Sequence, residues 1–119
     1  MSYQKDRDEF VGVIVAEVAN KGVPLHQGVH QGTDLARLIL RNAATIQRHA
    51  IDECNRPTTL RETQVAGRAK QRIIEACKPW GIKPTFGGDP RGACVKLLLP
   101  SGRWNSMGGA ECGYCVPTR

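Results

Sequence analysis

Aromatic side chains are scarce in this chain: two Phe, two Trp and two Tyr among 119 residues. Aliphatic side chains must therefore carry most of the packing. Long apolar runs are missing too. None approaches the ~20 residues that cross a bilayer as a helix, so membrane insertion is not expected. The opening residues, Met1-Ser2-Tyr3-Gln4-Lys5-Asp6, lack the basic-then-apolar pattern of a signal peptide, and secretion is not expected either. Several catalytic signatures are absent: no GxSxG elbow, no P-loop, no HExxH and no paired acidic motif on a helix face. Catalysis needs a nucleophile, a base and an orienting group within reach of one another. Nothing in the residue pattern assembles such a set, so the chain is not expected to be an enzyme.

Acidic residues are the minority charge. Eleven Asp and Glu face seventeen Lys and Arg, for a net +6, and eleven of those cations are Arg. Guanidinium is a better fork than ammonium for phosphate and carboxylate, which leans the surface towards a polyanion or an acidic protein face. A plain solvated surface suits the same numbers equally well, because charge alone names no partner. The hydrophobic and charged fractions, 40% and 24%, are ordinary for a globular chain. The length corresponds to one domain.

The five cysteines, Cys54, Cys77, Cys94, Cys112 and Cys115, are odd in number and do not read as a disulfide framework. Cys112-Gly113-Tyr114-Cys115 is a CxxC, but a zinc ribbon needs a second half-site and no other CxxC or CxxH exists. Cys77 and Cys94 could supply the missing thiolates if the fold brings them close. Reduced, buried cysteines that pack as small hydrophobes are the preferred reading. A thioredoxin-like CxxC opens a helix, whereas Val116-Pro117 follows this one. No cofactor is expected, and a structural zinc on Cys77, Cys94, Cys112 and Cys115 is the minor alternative.

Along the chain, Phe10, Val13, Ile14 and Val18 recur at helical spacing and predict a helix over about 5–20, with a strand over the β-branched run Val11 to Val15 as the alternative. Gly22 and Pro24 end it. The His-Gln-Gly triplet then occurs twice, at 26–28 and 30–32. Two glycines in this stretch predict a loop. On a helix, His26 and His30 would share a face and could chelate a metal, but no third ligand is evident nearby. Thr33-Asp34 supplies the expected N-cap of a second helix running to about Cys54. At 100° per residue, Leu38, Ile39, Asn42, Ala43, Ile46, His49 and Ala50 share one sector, and Arg37, Arg41 and Arg48 fall within about 40° of one another on the opposite side.

Asn55-Arg56-Pro57 breaks that helix. Thr59-Leu60-Arg61-Glu62 is a capping box that opens a third helix over 60–77. Its apolar sector holds Val65, Ala66, Ala69, Ile73 and Ala76, and Arg61, Arg68 and Arg72 align on another side. The two long helices are expected to form an antiparallel pair, because about four residues connect them. Beyond Lys83 the hydrophobic period shortens towards two. Pro84-Thr85-Phe86, Ala93 to Leu99 and Gly113 to Val116 are the expected strands, with 87–92 a hairpin turn and not a phosphate cradle, since a strand and not a helix follows. The expected fold is α+β: a single domain with an N-terminal helix and loop (1–32), a helical pair (33–78) and a three-stranded antiparallel meander (83–117) that the helical pair covers.

Gly88-Asp89-Pro90-Arg91-Gly92, the Val/Leu strand, Leu99-Pro100-Ser101-Gly102 and Gly113-Tyr114-Cys115-Val116-Pro117, together with the stretch Arg37 to Ala50, resemble a family of small phage and prophage proteins. The resemblance covers about residues 33–117. It implies a phage accessory gene product working in the bacterial cytoplasm, and it implies no reaction. Some relatives carry extra cysteines between the helices in zinc-ribbon fashion; this chain has only Cys54 and Cys77 there, and the His-Gln-Gly loop is a further departure.

The function expected from these observations is non-enzymatic: binding and obstructing a host protein or nucleoprotein complex, as anti-CRISPR and other anti-defence inhibitors do. The expected binding residues are Arg37, Arg41, Arg48, Arg61, Arg68 and Arg72, extended by Arg91, Lys96 and Arg103 near the hairpins. A DNA- or RNA-binding regulator is the alternative, with Trp80 and Trp104 as aromatics that either stack on bases or close the core. A small zinc or thiol enzyme, with Cys115 beside His49, is a second alternative.

Overall fold

The computed structural model describes residues 2–87 and 95–106. Helix α1 spans Ser2–Ala19, α2 Leu25–Asn55 and α3 Leu60–Cys77; a 3-10 turn at Lys78–Trp80 leads into strands β1 (Lys83–Phe86), β2 (Val95–Leu98) and β3 (Trp104–Ser106). The fold is α+β, three helices followed by a three-stranded antiparallel sheet in the order β1-β2-β3.

Phe10, Ile14 and Val18 form the buried stripe of α1, as their spacing predicts, with Val11 and Val13 packed beside them. The chain then turns through Gly22 and re-enters a helix at once. Residues 25–32 are not a loop, and Thr33-Asp34 is not an N-cap. Pro24 occupies the cap position, its carbonyl accepts from the Gly28 amide at 2.8 Å, and the Thr33 hydroxyl donates to the Val29 carbonyl one turn back. The reason lies in the packing. A Cβ on Gly28 would sit 3.0 Å from the Ala19 Cα, and one on Gly32 would sit 2.6 Å from the Val15 Cα. The glycines let the α1 and α2 backbones touch, and this contact outweighs the roughly 1 kcal/mol by which each disfavours a helix.

Leu35, Ala36, Ile39, Leu40, Ala43, Ile46 and Ala50 line the buried side of α2, with Asn42 and Gln47 buried among them. The Asn42 amide donates to the Leu38 carbonyl at 2.8 Å, which satisfies it within the helix. At 1.5 Å per residue the 31 residues of α2 extend about 46 Å, close to the 47 Å longest extent of the molecule.

Helix α3 starts where the capping box places it. The Glu62 amide donates to Thr59 Oγ1 at 3.1 Å, and the Thr59 amide donates to Glu62 Oε1 at 2.9 Å. Ala66, Ala69, Ile73 and Cys77 are buried. Truncating the fully buried Ile73 to Ala would cost about 2–5 kcal/mol. Val65, expected in this apolar sector, is exposed.

Strand β1 pairs with β2 through Lys83↔Leu98, Pro84↔Leu97, Thr85↔Lys96 and Phe86↔Val95, and β2 with β3 through Lys96↔Ser106, Leu97↔Asn105 and Leu98↔Trp104. Val95, Leu97 and Leu99 face the core and Lys96 faces out, the alternation read from sequence. The third described strand is Trp104–Ser106; the strand expected at Gly113 to Val116, all but the first residue of the turn expected at 87–92, and Cys94 lie outside the described residues. The turn ahead of β3 closes with Leu99 donating to the Arg103 carbonyl, and Gly102 takes a positive φ of 90° there. Two helices cover the sheet. Helix α3 meets β1, and α1 meets β3, where the buried Asn105 amide donates to the Phe10 carbonyl at 3.3 Å. Sequence reasoning assigned that cover to α2 and α3 and missed α1. Trp80 and Phe86 pack against the core margin.

Candidate functional site

The α2–α3 hairpin is stapled at its turn. Arg56, just past α2, holds Glu62 through two parallel hydrogen bonds, one of them Nη1 to Oε1 at 3.0 Å, and reaches Asp52 one turn back at 3.4 Å. This bidentate grip and the Thr59 amide hold the Glu62 carboxyl down to about 2, and the same bond raises the Arg56 guanidinium. His49 clasps the helices a turn higher. Its Nδ1 lies 3.5 Å from Glu53 Oε1 and its Nε2 lies 3.4 Å from Thr63 Oγ1, whose hydroxyl also donates to the Thr59 carbonyl. A partnered, mostly buried histidine is what its place at the edge of the apolar sector predicts.

Above this staple the two helices part into a groove of about 480 Å³, lined by Ala44, Thr45, Arg48, His49, Asp52, Arg61, Glu62, Val65 and Ala66. Arg48 and Arg61 stand on opposite walls. Asp52 and Glu62 also border the groove, but Arg56 engages both. Among the described residues neither Arg48 nor Arg61 has an ion-pair partner, so the groove keeps two unopposed guanidinium groups over an apolar floor of Ala44, Val65 and Ala66. Val65, the residue that departs from the core sector, forms part of that floor.

The other arginines continue the walls. Arg41 and Arg37 lie two and three turns from Arg48 along the same side of α2, and Arg68 and Arg72 lie two and three turns from Arg61 along α3, about 10 and 16 Å away in each case. All four are exposed, and among the described residues none forms an ion pair. Because the helices run antiparallel from the turn, both rows extend in the same direction away from it. The sequence-predicted residues Lys96 and Arg103 are exposed as well, but Lys96 projects from the outer face of β2 and Arg103 from the turn before β3, and neither lines the groove. Arg91 lies outside the described residues.

The metal candidates divide similarly. Cys77 is fully buried in the core, and burial pushes its thiol up to about 12, which suits an inert hydrophobe and not an activated thiolate. Cys54 is exposed at the end of α2. Cys94, Cys112 and Cys115 lie outside the described residues, and with them the proposed pairing of Cys115 with His49. His26 and His30 are exposed one turn apart on α2. No group of three or more His, Cys, Asp or Glu side chains converges among the described residues. No described helix is long and apolar enough to cross a membrane.

Comparison of the chain with family models, curated proteins and solved structures finds no match. The groove residues must therefore speak through their own chemistry. Sequence periodicity located the arginine rows but missed Thr45, Val65 and the Asp52–Arg56–Glu62 network. The four-residue spacing of Asp52 and Arg56 on a helix was the available signal for the network.

Proposed function

We propose that this chain is a non-enzymatic binding protein whose α2–α3 arginine face grips an acidic surface of a bacterial host complex and obstructs it, as a phage accessory protein of the anti-defence type would in the cytoplasm. One observation carries the reading: Arg37, Arg41, Arg48, Arg61, Arg68 and Arg72 are all exposed on adjacent helices that share a groove, and among the described residues none of them forms an ion pair. The phage setting rests on the motif resemblance over about residues 33–117.

An acidic protein face suits this groove better than duplex DNA. The floor is apolar, and Asp52 and Glu62 stand at its rim. A protein partner can place an apolar side chain on Val65 and carboxylates on Arg48 and Arg61, using the groove's whole chemistry. A duplex backbone offers only charge and would meet the rim carboxylates. The DNA-binding alternative shares the same arginines and separates from the first reading by its salt dependence.

The test is capture from bacterial lysate by the immobilised chain, with Arg37→Ala/Arg41→Ala/Arg68→Ala/Arg72→Ala as the comparison. The wild type should return a defined host complex and the fourfold variant should lose it, with unchanged circular dichroism. Capture that survives the four substitutions contradicts the assignment of the face. Tight binding to random duplex DNA, weakening in log–log slope by about 0.9 per phosphate contact, would favour the regulator instead.

A further inference from the structure

The outer side of the sheet presents a second cationic surface, away from the groove. Directly paired residues of an antiparallel ladder share a face. Lys83, Leu98 and Trp104 therefore form one cross-strand row, and Thr85 and Lys96 belong to the next row on the same face. Trp104 is 56% exposed, and Lys83, Lys96 and Arg103 are exposed around it. The described residues of this sheet and its turn, 82–87 and 95–106, contain three cations and no carboxylate.

Ordinary explanations cover only part of this. Lysines commonly protect sheet edges from pairing with other chains, but Lys96 stands on the central strand. A solvated surface accounts for the lysines and leaves the open indole without a role. An acidic peptide would use the cations and not the flat aromatic face. Single-stranded nucleic acid uses both: an exposed aromatic stacks on an unpaired base while neighbouring cations neutralise the phosphates. A duplex keeps its bases stacked inside and cannot offer them to the indole.

We propose that the outer face of the three-stranded sheet binds single-stranded nucleic acid, with Trp104 stacking on a base and Lys83, Lys96 and Arg103 contacting the backbone. This surface is independent of the arginine groove and does not need the function proposed for it.

The test uses the full chain and a fluorescein-labelled oligo(dT), read by anisotropy across a salt series. The wild type should bind at low salt. Trp104→Ala should weaken binding about fivefold or more, and Trp104→Phe should restore most of it, because a phenyl ring also stacks. Lys96→Ala should flatten the log–log salt slope by about 0.7. Arg48→Ala/Arg61→Ala should leave oligo(dT) affinity unchanged. The proposal fails if the wild type does not bind, if Trp104→Ala binds like the wild type, or if affinity is lost in the groove variant and kept in the Trp104 variants. Should Trp104→Ala misfold, Lys83→Glu/Lys96→Glu decides in its place, since retained binding there would equally overturn the proposal.

Discussion

Arg56 commits both terminal nitrogens to Asp52 and Glu62, so these two groove-lining carboxylates are engaged by it and leave Arg48 and Arg61 unopposed among the described residues. The network has a defined pH signature. The Glu62 carboxyl lies lower folded, at about 2, than its ordinary 4.5. A depressed carboxyl contributes stability that is present above the unfolded value and is lost as pH falls through the folded one. The stability gap between wild type and Glu62→Gln should therefore be full above about pH 5 and close as pH falls towards 2, followed by urea denaturation at each pH. A gap that stays constant over that range would mean the ion pair is not formed. At the same turn, Thr59→Ala removes a cap acceptor and should cost about 1 kcal/mol in the same measurement. The capping box was legible because it is a local pattern of Thr59 and Glu62. The arginine rows were legible because 100° spacing is a property of any helix. Val65 was not: it sits within the apolar sector by angle, and only the divergence of α2 from α3 leaves it uncovered in the groove.

At the level of elements, the informative failure is the start of α2. Gly28 and Gly32 read as loop formers by propensity, yet they are helical because α1 crosses there. Propensity is a local term of about 1 kcal/mol, and a long-range backbone contact reverses it. Two substitutions separate these roles. Gly32→Ala places a methyl 2.6 Å from the Val15 Cα, and a backbone atom cannot swing away, so it should destabilise by about 1–3 kcal/mol. Gly67, on α3, has nothing within 4 Å of its virtual Cβ, and Gly67→Ala should stabilise by about 0.4–1 kcal/mol. Chemical denaturation of both variants measures the pair; equal effects would show that α1 does not lie against Gly32. The sheet repeats the lesson in another form. β2 announced itself by the alternation of Val95, Leu97 and Leu99, whereas β3 is three residues with one buried side chain, Asn105, among its described ones, and carries no periodic signal. Its partners fix it: Leu97 and Leu98 across the ladder and the Phe10 carbonyl beneath.

Across the whole molecule, one long helix organises the rest. α2 holds α1 against one side and α3 against another, and the sheet caps the assembly through contacts with α1 and α3. This arrangement keeps the two cationic surfaces apart. The arginine groove opens between α2 and α3, while Lys83, Lys96 and Trp104 face outward from the sheet, so each surface can be removed by substitution without disturbing the other. Net charge of +6 made a basic contact surface one of two equal readings of the composition; the division into a groove with an apolar floor and a sheet face with an open indole required the packing.

The most direct measurement of the central claim is arginine modification by phenylglyoxal, mapped by mass spectrometry on the chain alone and on the chain bound to its captured host complex. Arg37, Arg41, Arg48, Arg61, Arg68 and Arg72 should lose reactivity together on binding, while Arg7 on α1 keeps its own. Six arginines equally reactive in both states would place the partner elsewhere and contradict the assignment of the α2–α3 face.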